Sequence, residues 1–305
     1  MSDVSKIKIL VIGSEGQVGK SLCNLFENIC NLLPLNKKQL DLQDIDTIKS
    51  YLNNFRPDII INAAAFTNVE LAEKNQSVAF EINSNALEVL SNECRERNII
   101  LIHFSTDYVF DGEKNQPYIE TDNTNPLSIY GKSKLNGEEK IINSNCKYII
   151  LRISWVYSEK KKNFPSFIIE QAIHNKEMKI ISDQYGVPVS ANFVAENTKL
   201  IIQKISENNF SKFASDIYHL TPNGSTNWYN YAKYILNKLI EKNIIKKNQI
   251  KLLKKISSEE YETNVIRPKN SVLDSNKISK VFNLKFKNWE TYVDDFIKNY
   301  FRMNN

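Results

Sequence analysis

The first half of the chain alternates short apolar runs with longer amphipathic stretches. The apolar runs are Ile7–Ile12, Leu32–Leu35, Asp58–Ala65, Ile99–Ser105 and Tyr148–Ser154. Each has the length of a strand, and almost every position in it is apolar, the mark of a strand buried on both faces. Between them, the stretch ending near Asn28, then Asp44–Asn54, Gln76–Arg97 and about Pro126–Asn143 repeat apolar residues at helical spacing. Strands and helices in this order predict an α/β fold: a Rossmann-type, doubly wound parallel sheet with helices on both faces. Beyond Trp155 the alternation becomes irregular. Strands are expected at Met178–Ile181 and Asp216–Leu220, and helices at Phe193–Ser206, Asn227–Ile240, Ser275–Phe282 and Trp289–Tyr300. The pattern divides the chain into a dinucleotide-binding domain over 1–155, with a return segment near 190–207, and a smaller substrate lobe over 156–305.

Composition narrows the function classes. The chain has 305 residues, 42% apolar and 25% charged, as in an ordinary globular protein. No apolar run approaches the ~20 residues that span a bilayer, and the residues before Ile7 lack the pattern of a signal peptide. A cytoplasmic protein with no membrane partner is expected. The net charge of +5 is mild. The basic clusters Lys160–Lys162, Lys246-Lys247 and Lys254-Lys255 lack interleaved aromatics, so nucleic acid is not an expected partner. Cys23, Cys30, Cys94 and Cys146 form no C-x-x-C pair, and His103, His174 and His219 are far apart, so no metal site is expected.

The candidate chemistry begins after the first strand, where Gly13, Gly16 and Gly19 follow one another at intervals of three. A turn of this kind lets the backbone approach a pyrophosphate and aims a helix N-terminus at it. The second strand ends at Asn36-Lys37-Lys38, without the acidic residue that favours NAD. Cations here suit a 2′-phosphate, so NADPH is the expected cofactor, with NADH as the alternative. Asp41 and Leu42 could flank the adenine, and Ala63, Ala64 and Ala65 leave room for a cofactor across the third strand end. Tyr-x-x-x-Lys occurs at Tyr130/Lys134, Tyr157/Lys161, Tyr229/Lys233 and Tyr234/Lys238. Only the first lies between the fourth and fifth strands and follows a Ser105-Thr106-Asp107 strand end, where such sheets bind ligands. On a helix, Tyr130 and Lys134 share one face. With the Thr106 hydroxyl they suit protonation of an oxygen as a carbonyl carbon is reduced. Asp107 and Asp111 could shape a turn or serve the site, and Trp155 could be core or an apolar wall against a sugar ring.

Taken together, these segments resemble the extended short-chain dehydrogenase/reductases, and within them the dTDP-4-dehydrorhamnose reductase family. The resemblance runs through Gly13–Gly19, Ile61–Glu70, Ser105–Gly112, Tyr130–Glu138, Leu151–Tyr157, Asn163-Phe164, Asp183–Pro188 and Arg267–Ser271. It implies NADPH-dependent reduction of the C4 keto group of dTDP-4-dehydro-L-rhamnose. It implies Thr106, Tyr130 and Lys134 as the catalytic trio, and Thr106, Asp107, Trp155 and Arg267 as substrate contacts. Gly16, Gln17, Val18, Asp41, Leu42, Ala65, Phe66, Thr67, Tyr130 and Lys134 would hold the cofactor, beside the residues read above. Two features depart from the family. Ser158 stands where glycine is usual, before Lys160–Lys162, which could meet the substrate pyrophosphate. Lys20-Ser21 carries no carboxylate where some relatives hold Mg²⁺ between subunits, so a homodimer stays open but a metal-bridged one is not expected. Two other readings remain: a different nucleotide-sugar reductase or epimerase, and an NADP-binding regulatory subunit of the methionine adenosyltransferase type. The Ser154-Trp155-Val156-Tyr157 and Asp183–Pro188 segments favour the reductase.

Overall fold

Alternate side chains of the central strands part to opposite faces, and each face finds its own layer of helices. The computed structural model describes residues 6–159, 161–207, 210 and 213–304. The strands are β1 (Lys8–Ile12), β2 (Asn31–Leu35), β3 (Ile59–Asn62), β4 (Ile100–Thr106) and β5 (Lys147–Ile153), joined by a sixth, Asp216–His219. All pair in parallel, in the order β2-β1-β3-β4-β5-sixth. Pro34 lies on β2, an edge strand, where a missing N–H costs least. The order reverses between β1 and β3, so a crevice opens at their carboxyl ends.

Ile9 and Val11 of β1 face Leu22 and Phe26 of α1 (Gln17–Phe26) and Phe193 and Ile201 of α8 (Ala191–Ser206). Leu10 and Ile12 face the opposite layer, with Ile48 and Leu52 of α2 (Ile45–Phe55), Leu87 and Leu90 of α5 (Ala86–Glu96) and Ile141 of α6 (Ile129–Asn143). The expected doubly wound α/β sheet is therefore present. Helix α8 lies on the same layer as α1, and α10 (Asn276–Phe282) joins it there. A separate apolar cluster gathers α7 (Phe164–Ile173), α9 (Trp228–Glu241) and α11 (Trp289–Asn304) around Tyr157, Ile169, Leu236 and Phe296. Beside it, Met178–Ile181 pairs in parallel with Leu253–Ile256.

Two helices differ from the sequence reading. The expected helix over Gln76–Arg97 is broken by a π turn at Glu81–Asn85, between α4 (Gln76–Phe80) and α5; the short helix before it is α3 (Val69–Lys74). Periodicity does not register one extra residue in a turn. The π turn carries Asn83, whose side chain clasps both backbone groups of Phe66 (2.8 and 3.1 Å) and donates to Ser133 Oγ (3.0 Å). Helix α6 begins at Ile129 rather than Pro126, because Ser128 caps it by accepting from the Gly131 N–H at 3.1 Å.

Candidate active site

The turn after β1 is built to expose backbone. Gly13 has φ +81°, and a Cβ there would lie 2.7 Å from the Ala64 nitrogen. Its N–H and that of Ser14 both donate to the Leu35 carbonyl, tying the turn to β2. Gly16 begins α1 without a side-chain cap, so the first N–H groups of the helix remain free for an anion. A Cβ on Gly19 would meet the Gly13 carbonyl oxygen at 2.0 Å, so Gly19 serves the packing of helix on turn.

A cavity of about 770 Å³ runs from this turn across the strand ends to Trp155. It is lined by Gly13, Gly16, Gln17, Val18, Lys37, Asp41, Leu42, Ala63, Ala64, Ala65, Phe66 and Thr67 on the turn side, and by Thr106, Asp107, Tyr130, Lys134 and Trp155 on the other. Gly19 does not line it, and neither does Arg267, which bonds Glu70 at 2.9 Å. Lys37 reaches the cavity but Lys38 does not; the Lys38 N–H donates to Asn36 Oδ1 at 3.0 Å. Asp111 lies outside it, accepting from the Tyr118 hydroxyl at 2.8 Å and from the Glu113 N–H, and so shapes a loop. Lys161 also lines the cavity, whereas Lys160 lies outside the described residues. The cavity fits a dinucleotide on two observations. Its glycine turn leaves no side chain between backbone and ligand, and a buried polar atom in its wall, Ser105 Oγ, has no hydrogen-bond partner among the described residues.

Helix α6 brings Tyr130 and Lys134 to the end of β4. Its N-terminus is fixed by Ser128 and by Glu73, which accepts from the Ile129 N–H at 2.8 Å. Gly131 allows the helix to meet the Tyr108 carbonyl, since a Cβ there would be 2.2 Å away. Tyr130 and Lys134 then face Thr106, whose hydroxyl hydrogen-bonds the Tyr130 phenol. Burial pushes that phenol up to about 12, the Thr106 bond opposing the shift. Burial also pushes the Lys134 ammonium down to about 7, against the pull of Glu138 one helical turn on. Asp107, 2% exposed, is pushed up by burial to about 7. Its Oδ1 accepts from Thr106 at 3.1 Å.

Trp155, two residues past the end of β5, has φ +41°, an uncommon and strained conformation for an aromatic residue. The strain turns its indole flat on Trp228, with ring centroids 3.6 Å apart and 12° between planes. Gly186 makes room, because a Cβ there would lie 2.4 Å from the Trp155 ring. The two openings left for Trp155 in the sequence thus resolve to a wall of the cavity.

Several lining or supporting residues had no sequence signal of their own. Trp228 comes from the second half of the chain, and Asn83 depends on the π turn. His103 and Asn62 sit behind Lys134, and only the register Asn62↔His103 between β3 and β4 brings them together. Among the described residues no cluster of His, Cys, Asp and Glu could hold a metal, and no helix is long and apolar enough to cross a membrane.

This sheet, its glycine turn at the switch point and the Thr-Tyr-Lys cluster beyond it define an extended short-chain dehydrogenase/reductase. The chain belongs to the family described as the RmlD substrate binding domain, whose model matches residues 7–302. A dTDP-4-dehydrorhamnose reductase of Sinorhizobium fredii is 35% identical over 284 residues, covering 93% of this chain and 94% of the relative. One from Escherichia coli K12 is 32% identical over 299 residues, covering 97% and 98%. The crystal structure of a dTDP-4-dehydrorhamnose reductase from Bacillus anthracis, in complex with NADP, superposes with a TM-score of 0.85 at 30% identity, over 96% of this chain and 99% of that one. The resemblance read from the sequence is borne out.

Proposed function

We propose that this protein reduces the C4 keto group of dTDP-4-dehydro-L-rhamnose with NADPH, forming dTDP-L-rhamnose. The observation that carries the reading is the convergence of the glycine turn, Lys37, Thr106, Tyr130 and Lys134 on one cavity, in a chain that matches dTDP-4-dehydrorhamnose reductases over nearly its whole length. The pyrophosphate of NADPH is assigned to the free N–H groups of Gln17 and Val18, with Gly16, whose own N–H is held by the Gly13 carbonyl, leaving the approach to them open. Lys37 is assigned to the 2′-phosphate, and Asp41, Leu42 and Ala63–Thr67 to the adenosine half. The part that holds the cofactor is the central sheet with its helices, to which the second half of the chain returns not only α8 but also the strand Asp216–His219 and α10, so the boundary expected at 155 is crossed three times; the sugar lobe is the cluster of α7, α9 and α11. Substrate contacts are assigned to Thr106, Asp107 and Trp155. Arg267, whose charge acts on the neighbouring Tyr108, is assigned to the substrate from the rim.

When bound, NADPH supplies a hydride to the C4 carbon of the sugar. The chain's own work is at the carbonyl oxygen. Thr106 turns its single hydroxyl proton from Asp107 to donate a hydrogen bond to it, and Tyr130 gives it a proton as negative charge grows. A phenol at about 12 is a reluctant acid. An ammonium at Lys134, on the next turn of α6, stabilises the phenolate left behind and brings the acid toward working pH. Trp155, braced by Trp228, supplies a flat apolar wall for the sugar. The intact trio favours turnover over a purely cofactor-binding subunit.

The test is NADPH oxidation, followed by absorbance, with enzymatically generated dTDP-4-dehydro-L-rhamnose. Tyr130→Phe should bind NADPH almost normally and lose about 10²–10⁴-fold in turnover, the usual worth of a general acid. Undiminished turnover in that variant would refute the assignment of Tyr130. NADPH binding without wild-type turnover would refute the substrate.

A further inference from the structure

Lys134 is held from behind by two groups that the mechanism above does not use. Its Nζ lies 2.7 Å from the Phe104 carbonyl oxygen, to which it donates, and 2.9 Å from His103 Nε2. His103 Nδ1 lies 3.2 Å from Asn62 Nδ2, and Asn62 Oδ1 accepts from the Ala64 N–H at 3.1 Å. Lys134, His103 and Asn62 are each 1% exposed, so water offers no substitute partners.

The protons in this chain can be assigned from the Ala64 end. A backbone N–H can only donate, so the Asn62 oxygen faces it and the Asn62 NH₂ faces His103. That NH₂ can also only donate, so Nδ1 is the bare nitrogen of the imidazole. A neutral imidazole then carries its proton on Nε2, aimed at Lys134. Against an ammonium, that N–H would put two donors face to face. The other tautomer moves the same conflict to Asn62, and an imidazolium creates it at both ends. Only one assignment satisfies every contact: neutral His103 donating from Nε2 to a neutral amine, which donates to Phe104.

The surrounding charges do not overturn this. On α6, Glu138 favours the ammonium, but Arg152 of β5 binds its carboxylate through two hydrogen bonds of 2.9 and 2.6 Å. Tyr130, on the same helix, is an un-ionised phenol, and Asp107 of the loop after β4 acts on Tyr130. On β4, burial holds His103 well below its usual range, with Lys134 as the other cause.

We propose that His103 is a positioning residue that sets the charge of Lys134: it holds the amine neutral in the cofactor-free protein, so that dinucleotide binding takes up a proton there. The proton comes from solvent and bonds to the Nζ lone pair; nothing is transferred to or from His103. The ribose oxygens of the dinucleotide accept from the ammonium that the cofactor-free wiring disfavours. The acid Tyr130 is therefore assisted only when the reductant is loaded. This inference rests on the reading of Lys134 as a cofactor- and phenol-facing group.

The first test needs no cofactor. The chain has 3 histidines, so ¹⁵N spectra of the histidine-labelled protein can resolve His103, identified by the signal lost in His103→Gln. The Nε2–H tautomer, unprotonated across neutral pH, is expected. An Nδ1–H tautomer or an imidazolium would overturn the proposal. The second test is calorimetry of NADPH binding in buffers of different ionisation enthalpy. With Lys134 at about 7, about nine-tenths of it is neutral at about pH 8, and binding should take up nearly one proton. In His103→Gln the amide can turn its oxygen to Nζ and preserve the ammonium, so uptake should fall below about half a proton, and the high-pH limb of kcat/KM should move up by about one pH unit. Wild-type binding without proton uptake would overturn the proposal. A failure to bind NADPH at all would instead refute the proposed function, leaving the tautomer to decide the wiring.

Discussion

The ion pair between Arg152 and Glu138 fastens the helix that bears Tyr130 and Lys134 to the sheet, and its energetics give a sharp prediction. The side chains are 3% and 1% exposed, joined by two hydrogen bonds, and the guanidinium also lies 5.1 Å from the Phe110 ring centroid. With charge centres about 4 Å apart and an effective dielectric near ~20, their attraction is about 4 kcal/mol. Desolvation costs several kcal/mol for each ion, so the intact pair contributes little net stability. Removing one partner is different, because it strands a buried charge; Arg152 Nη1 already lacks a partner. Arg152→Met and Glu138→Leu should each cost about 3–5 kcal/mol, whereas the double variant should cost less than either single change. Urea unfolding of the four proteins measures the cycle. Single losses that add to within ~0.5 kcal/mol would refute the argument. Glu138→Leu should also lower the Lys134 pKa further, since Glu138 is the charge that raises it. The high-pH limb of activity should then move down in Glu138→Leu.

Two further variants test the substrate side. Gly186→Ala would put a Cβ 2.4 Å from the Trp155 ring and force the indole off Trp228; KM for the nucleotide sugar should rise about tenfold or more while the Kd for NADPH stays within about twofold, as loss of ~1.4 kcal/mol at one subsite requires. An equal loss for both ligands would refute the assignment of Trp155 to the sugar. Asp107, pushed by burial up to about 7 from an unfolded value near 3.8, binds its proton more tightly folded than unfolded. Its effect on stability is absent below about pH 4, grows as pH rises toward about 7, and is then constant at roughly 4 kcal/mol of destabilisation. Asp107→Asn should therefore gain stability over wild type between pH 5 and 8 in urea unfolding, and parallel pH dependences would refute the shift.

The sheet was legible because its strands are buried on both faces. Ile59–Asn62 and Ile100–Thr106 have no exposed residue, and a run of that kind reads the same whichever strand it pairs with. The irregular half was less legible for the same reason inverted. Leu253–Ile256, with burial alternating only at one end, reads as a lysine-rich surface and becomes a strand only through its pairing with Met178–Ile181. The return of α8 to the α1 layer is written in its apolar face, but the π turn at Glu81–Asn85 is invisible to periodicity.

Within the site, the legible residues are those whose role needs only a local motif: the glycine turn, and a Tyr and Lys at i and i+4 on one helix. The remainder depend on distances between elements. Lys134 alone reads as a cation, because an isolated lysine in water is one. What changes its character is a histidine 31 residues earlier on a strand, and an asparagine 41 residues before that, both aligned by sheet register. A one-residue slip of β4 against β3 would turn His103 to the opposite layer and leave Lys134 with the Phe104 carbonyl's neighbourhood alone. The protonation of the site is thus a property of strand register, which is why it emerges from the folded chain and from no segment of it.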